Sequence, residues 1–196
     1  MLALSNPRKS ADACVCTMQC LKPETNLRYQ WKGLDENPVT KLVFHMAGFI
    51  PVQMKANGSG NPNEYDQGSF LRMLRLTKKA FQDGFDILIL PEGQLNPNPD
   101  RGLLPVYSGA FALARMSHRP IRFVGIHGTH RLWHADEGIG MTVTDRAVAI
   151  RVYPHTSTFE TSDDFINAFT AVIGHFGRTG EDLPQVAVDK WLGTNN

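Results

Sequence analysis

The chain has 196 residues, 42% of them apolar and 20% charged, with a formal net charge of +1. That length and mix suit one globular domain with a substantial core. The near-neutral balance gives no electrostatic footprint for nucleic acid, and no run of about 18 apolar residues is present to encode a transmembrane helix.

The first 36 residues show no sustained periodicity and read as an irregular N-terminal segment. Residues 1–11 hold Arg8 and Lys9 and no acid, a faint likeness to an organelle transit peptide, but the stretch is short and contains Pro7. Cys14, Cys16 and Cys20 fall close together. An odd count argues against a secreted disulfide framework. A zinc site needs a fourth ligand, and the nearest histidine is His45, so the three read as reduced thiols and no metal is expected.

Asn37-Pro38 reads as a helix start, cap followed by proline at the first helical position. Val39, Leu42, Val43 and Met46 then make an apolar stripe that Gly48 ends. Phe49-Ile50-Pro51-Val52 reads as a short strand, and residues 55–68 as a loop rich in Gly, Asn and Ser. Ser69 opens the next helix, with Phe70, Leu71, Leu74 and Phe81 inward and Arg72, Arg75 and Lys79 on the opposite face. Such a basic row is either solvated or a contact for anionic lipid headgroups.

Gly84 closes that helix, and Asp86-Ile87-Leu88-Ile89-Leu90 reads as a buried strand running into Pro91-Glu92-Gly93. Pro91 has no N–H to continue a ladder, and Gly93 permits a sharp turn. Glu92 therefore falls at the carboxyl end of a strand, where open α/β sheets bind ligands. A loop over residues 94–105 follows, then a helix from about 109 to 117 capped by Ser108. Its Gly109, Ala110, Ala112 and Ala114 suit close packing on a sheet.

Ile121 to Ile126 is a further strand, and residues 128–140 form a loop rich in His, Trp and Gly. Its His127, His130, His134 and Asp136 invite a metal reading, but Gly128 after a strand disfavours a helix that would give them a common face. The rim of a cleft is the alternative, with Arg131 beside a phosphate. Met141–Thr144 and Ala147–Tyr153 read as a hairpin about Asp145-Arg146. Thr161 with Asp164 spells a capping box, and Phe165, Ile166, Phe169, Val172, Ile173 and Phe176 an amphipathic helix. The alternation of helices and strands predicts a single-domain α/β sandwich over residues 37–176, its mixed sheet largely parallel and flanked by helices, followed by a tail over 177–196.

The segment Leu90-Pro91-Glu92-Gly93, followed by Leu104-Pro105-Val106-Tyr107-Ser108-Gly109-Ala110-Phe111-Ala112-Leu113-Ala114, resembles the third motif of the glycerophospholipid acyltransferases, the 1-acylglycerol-3-phosphate acyltransferases and their relatives. That motif runs Phe-Pro-Glu-Gly-Thr-Arg-Ser, a loop, then Pro-Phe-Lys-x-Gly-x-x-x-Leu-Ala. Here Gln94 and Leu95 replace the threonine and arginine, and Tyr107 stands where lysine is common. Gly48-Phe49-Ile50-Pro51-Val52 resembles the approach to the second motif, but Gln53 and Met54 follow in place of Asp-Arg. Pro120-Ile121-Arg122-Phe123-Val124-Gly125-Ile126 is similar to the fourth. The likeness extends from about Pro38 to Pro154.

The family's first motif, His-x-x-x-x-Asp, is absent. Five residues beyond His45, His118, His127, His130, His134, His155 and His175 stand Ile50, Phe123, Leu132, Ala135, Ile139, Glu160 and Gly180. In the family this histidine removes the acceptor hydroxyl proton and the aspartate orients it. The resemblance thus implies an acyltransferase-like domain incomplete on its N-terminal side, with no identifiable catalytic residue. It implies substrate-binding roles for Pro91, Glu92 and Gly93, with Lys55 and Arg101 as the nearest cations to the lost arginines.

The implied reaction moves a fatty acyl group from an acyl thioester to the free hydroxyl of a lysophospholipid. Coenzyme A or acyl carrier protein supplies the thioester as co-substrate, and no cofactor is bound. The implied location is intracellular and peripheral on a membrane, without a nucleic-acid partner. The competing expectation is a non-catalytic, truncated or degenerate acyltransferase domain that binds lipid or a partner. An unrelated doubly wound hydrolase fails for want of a Gly-x-Ser-x-Gly elbow.

Overall fold

The computed structural model describes residues 3–5, 14–17, 42, 50, 67–93, 96, 98–132 and 147–193. The chain is mixed helix and strand, and its contacts gather into two compact units. The first comprises residues 1–12 and 23–89, the second residues 13–22 and 90–196.

In the first unit, strand β1 (Ala3–Ser5) pairs antiparallel with β3 (Asp86–Ile89), Leu4 opposite Ile87. Helix α1 (Gln67–Gln82) buries Met73, Thr77 and Ala80. These recur at four- and three-residue steps and so share one helical face. Met73 and Ala80 gather with Ile87 and Ile50, and Leu74, Phe81, Phe85 and Ile89 complete that small core. Phe70 and Leu71, expected inward, are exposed. The buried face is centred on Thr77, whose hydroxyl reaches Met73 Sδ at 3.6 Å, so the largest apolar residues did not mark it. The basic row of Arg72, Arg75 and Lys79 is exposed, with Lys79 paired to Asp83 at 2.7 Å. Of the expected 38–46 helix and 49–52 strand, only Leu42 and Ile50 are described. Leu42 is helical and exposed, contrary to an inward stripe, and Ile50 is buried outside any strand.

In the second unit, β4 (Ile121–His127) lies between β2 (Cys14–Thr17), parallel to it, and β5 (Ala149–Ser157), antiparallel. The expectation of a largely parallel sheet is therefore corrected. Of the pairings within the two units, β1 with β3 and β4 with β5 are antiparallel, and β2 with β4 alone is parallel. The physical reason is that β5 pairs antiparallel with β4, an arrangement that needs no crossover helix between the strands. Of the hairpin expected about Asp145-Arg146, the first arm and the turn lie outside the described residues, and the second arm, Ala147–Tyr153, runs into β5. Of residues 1–36, read as irregular, the described ones form the two short strands β1 and β2.

Helix α2 (Gly109–Ser117) buries only Ala110 and Ala114 of its small residues. Helix α4 (Ser162–Thr179) starts from the expected capping box. Asp164 N–H donates to Thr161 Oγ1 at 3.1 Å, and Thr161 N–H to Asp164 Oδ2 at 3.1 Å. Its buried face, from Phe165 to Phe176, packs on β4. Phe123 of β4 meets Phe165 and Phe169 edge-on, with ring centroids 6.1 and 5.3 Å apart. Such pairs contribute about 0.5–1.5 kcal/mol beyond their buried area. Gly125 lets this helix approach: a Cβ there would lie 2.6 Å from Phe176 Cδ1.

The expected tail contains a further helix, α5 (Gln185–Leu192), which buries Val188 and Leu192. His155 of β5 faces Asp189 at 3.1 Å, and Ser157 Oγ donates to the Leu192 carbonyl, so β5 holds this helix at two points. No helix among the described residues is long and apolar enough to cross a membrane.

Candidate functional site

The turn after β3 is built by Pro91, Glu92 and Gly93. Gly93 adopts φ +66°, a left-handed conformation that favours glycine, and its N–H donates to the Leu90 carbonyl at 3.0 Å. Pro91 is buried, and its carbonyl accepts from Tyr107 N–H at 2.9 Å, which brings the far end of the loop back to the turn. Tyr107 sets its ring beside Gly93.

Glu92 points inward. It is 3% exposed, and its Oε2 accepts from Leu104 N–H at 2.7 Å and from Asn96 Nδ2 at 3.3 Å. Asn96 also donates to the Gly102 carbonyl at 2.6 Å, and its Oδ1 accepts from Asn98 N–H at 2.9 Å. The two side chains thereby hold both arms of the loop. Burial pushes the Glu92 carboxyl above its ordinary range, and the bonds from Leu104 and Asn96 oppose that rise. A carboxylate at a strand end was legible in the sequence. Its direction was not, and Asn96 was missed. The alternation Asn96-Pro97-Asn98-Pro99-Asp100 was a usable signal, since Asn side chains bond backbone two residues on.

The loop contains a single 3₁₀ turn, Pro99–Arg101. Arg101 is exposed there, and Asp100 faces the other strand end. Beyond β4, Gly128 at φ +88° leads into a one-turn helix, α3 (Thr129–Leu132), in place of the irregular loop expected. His130 Nε2 lies 3.4 Å from Asp100 Oδ1, an electrostatic contact rather than a formed hydrogen bond, and Arg131 reaches the same oxygen at 3.7 Å. His130 keeps only 11% of its side chain exposed against 61% for Asp100. Its burial lowers the imidazole pKa from 6.5, Asp100 opposing and Arg131 reinforcing the shift. The neutral ring therefore prevails near pH 7, with one nitrogen free to accept a proton.

His127 is engaged elsewhere: its Nδ1 donates to the Gly177 carbonyl at 2.9 Å. Among the described residues no group of three or more His, Cys, Asp or Glu side chains is placed to hold a metal ion. The structure thus brings Glu92, Asn96, Asp100, His130 and Arg131 to one loop and the turn it meets. Lys55, the remaining sequence candidate, lies outside the described residues, as do His45, His134 and Asp136. Comparison with known protein families, with curated proteins and with solved structures finds no match to this chain.

Proposed function

We propose that the chain is an acyltransferase-type domain of glycerolipid metabolism. Its reaction class is transfer of a fatty acyl group from an acyl thioester to the free hydroxyl of a lysophospholipid. The observation that carries this reading is the turn at Pro91-Glu92-Gly93, whose buried carboxylate ties down a loop that leads, through Tyr107 and Ser108, into a small-residue helix. The residues of the family-like motif are thus used as one built unit. Arg101 and Arg131 are the cations of that unit available to an acceptor phosphate, each exposed. The chain acts at a membrane surface, where its acceptor resides, and the exposed basic row of α1 suits anionic headgroups.

The second reading is a non-catalytic domain that binds lipid, favoured by the lack of any His-x-x-x-x-Asp. Loss of a general base commonly lowers a rate about 100- to 10,000-fold, so the 196-residue chain is expected to bind and to turn over slowly. The test is an acyl-thioester assay over a panel of lysophospholipids, read as both binding and turnover. Binding of thioester and acceptor with slow transfer supports the proposal. Failure to bind either would end it. Fast transfer abolished by Glu92→Ala would eliminate the non-catalytic reading.

A further inference from the structure

Helix α1 turns Met73, Thr77 and Ala80 toward its core. At about 3.6 residues per turn, Leu71, Arg75 and Lys78 fall together on the side away from those three, with Arg72 and Lys79 beside them. All five are exposed, and Leu71 keeps 54% of its surface in water. Leu76, at the edge of that side, keeps 36%. No acid stands between Gln67 and Gln82, and Asp83 just beyond takes Lys79 at 2.7 Å. Arg75 thus has Arg72 three residues before it and Lys78 and Lys79 three and four after. At these spacings like charges repel and weaken a helix.

The chemistry of this side selects a partner. A soluble polyanion would answer the charges and leave Leu71 wet. An apolar protein groove would take Leu71 and strand the guanidinium groups without water. An anionic bilayer serves both, since its headgroups meet Arg72, Arg75 and Lys78 and the acyl boundary just below takes Leu71. Arginine and lysine stems lie along apolar surface while their charged ends stay among the headgroups. With 16 residues, α1 is about 24 Å long, and no described helix is long and apolar enough to cross a membrane. A helix of this charge therefore lies in the interface plane.

We propose that the side of α1 bearing Leu71, Arg72, Arg75 and Lys78 is the surface by which the chain lies on an anionic bilayer. Leu71 enters the acyl boundary, and the three cations hold the headgroups around it. The proposal rests on the membrane placement in the reading above. It goes beyond that reading by naming the contact, its depth and the lipid charge it needs. Each cation near an anionic surface raises partitioning roughly five-fold, so three together reach about a hundred-fold. Met73 and Ala80 keep their places in the core of the first unit, so docking needs no unfolding.

The experiment floats the full chain with vesicles of phosphatidylcholine alone and with vesicles containing about a third phosphatidylserine, at physiological salt. The variants are Arg72→Gln, Arg75→Gln and Lys78→Gln combined, Leu71→Gln alone, and Arg72→Lys with Arg75→Lys. All these positions are exposed, so each variant should melt with the wild type. Wild type is expected on the anionic vesicles only. The triple variant should lose about a hundred-fold in binding and Leu71→Gln about ten-fold, while the lysine variant keeps its charge and binds like wild type. Equal binding to both kinds of vesicle, or unchanged binding in the triple variant, would overturn the proposal. So would soluble polyglutamate that outcompetes the vesicles, which would make the partner an acidic protein. Thermal shift with an acyl-coenzyme A, without vesicles, separates the surface from the reading beneath it. Thioester binding with no vesicle binding sinks the α1 surface and leaves the acyltransferase chemistry standing. Vesicle binding through these four residues, with neither thioester nor lysophospholipid bound, sustains the surface and ends that chemistry.

Discussion

Glu92 and His130 are both buried ionisable groups on turns that follow strands, and their surroundings are built in opposite ways. Around Glu92, the carboxylate, the Asn96 amide and the loop backbone satisfy one another. Around His130, neither ring nitrogen nor the neighbouring Thr129 hydroxyl finds a formed hydrogen bond among the described residues, Asp100 Oδ1 standing 3.4 Å from Nε2. A satisfied buried network rigidifies a loop, whereas an unsatisfied one lowers stability until something binds. The residue that sequence marks most strongly is thus part of the scaffold, and the unsatisfied groups sit on the turn it meets. Asp100 joins the two, since the loop that Glu92 holds is what presents it to His130.

Glu92→Ala probes that division most severely. It strands the Leu104 N–H and the Asn96 amide in a buried place, so a loss of about 2–4 kcal/mol in urea unfolding is expected. Glu92→Gln keeps an acceptor oxygen and should recover most of that loss. If Glu92→Ala were as stable as wild type, the carboxylate would not be scaffold. Asn96→Ala comes next, with about 1–3 kcal/mol expected and the largest gain in amide exchange over residues 98–104. Thr129→Val should move the other way, raising stability by up to about 1 kcal/mol, or roughly 2–4 °C in melting temperature for a chain of this size.

The smallest effect is in pH dependence, and the two regions slope oppositely. Glu92 has a raised carboxyl pKa in the folded state, so the native protein holds its proton longer. Its contribution to stability falls as pH rises from about 4.5 through the folded value, then levels off. His130 has a lowered pKa, so the unfolded chain binds the proton first. Its contribution is fully present above about 6.5 and is lost as pH falls through the folded value. Stability measured against pH in Glu92→Gln and in His130→Leu should each lose one of these slopes. Loss of the same slope in both would erase the distinction.

Local signals were the legible ones. The helix over residues 162–179 was announced by Thr161, Asp164 and an apolar stripe, all within a few turns of one another. The strand at Asp86–Ile89 was announced by its apolar run and by Pro91. β1 and β2 were illegible because each is three or four residues long and exists through partners far along the chain. Helix α5 escaped notice because only Val188 and Leu192 are buried while the apolar Val186 is exposed, which blurs the stripe. At the site, Glu92 was found, but its inward direction depends on Leu104, twelve residues on. The Asp100–His130 approach joins residues thirty apart, which no spacing rule reports.

The pairing of β2 with β4 has a consequence for synthesis. Cys14 lies beside Ile121 in a parallel ladder, so β2 leaves the ribosome well before the neighbour it pairs with. Roughly a hundred residues separate them, which at ordinary elongation rates is a delay of about 5–20 seconds. During that interval the Cys14–Thr17 edge has no β4 to pair with, and closing so long a loop is a step that slows folding. A cell expressing this chain has reason to keep a chaperone near β2 until residue 127 has emerged.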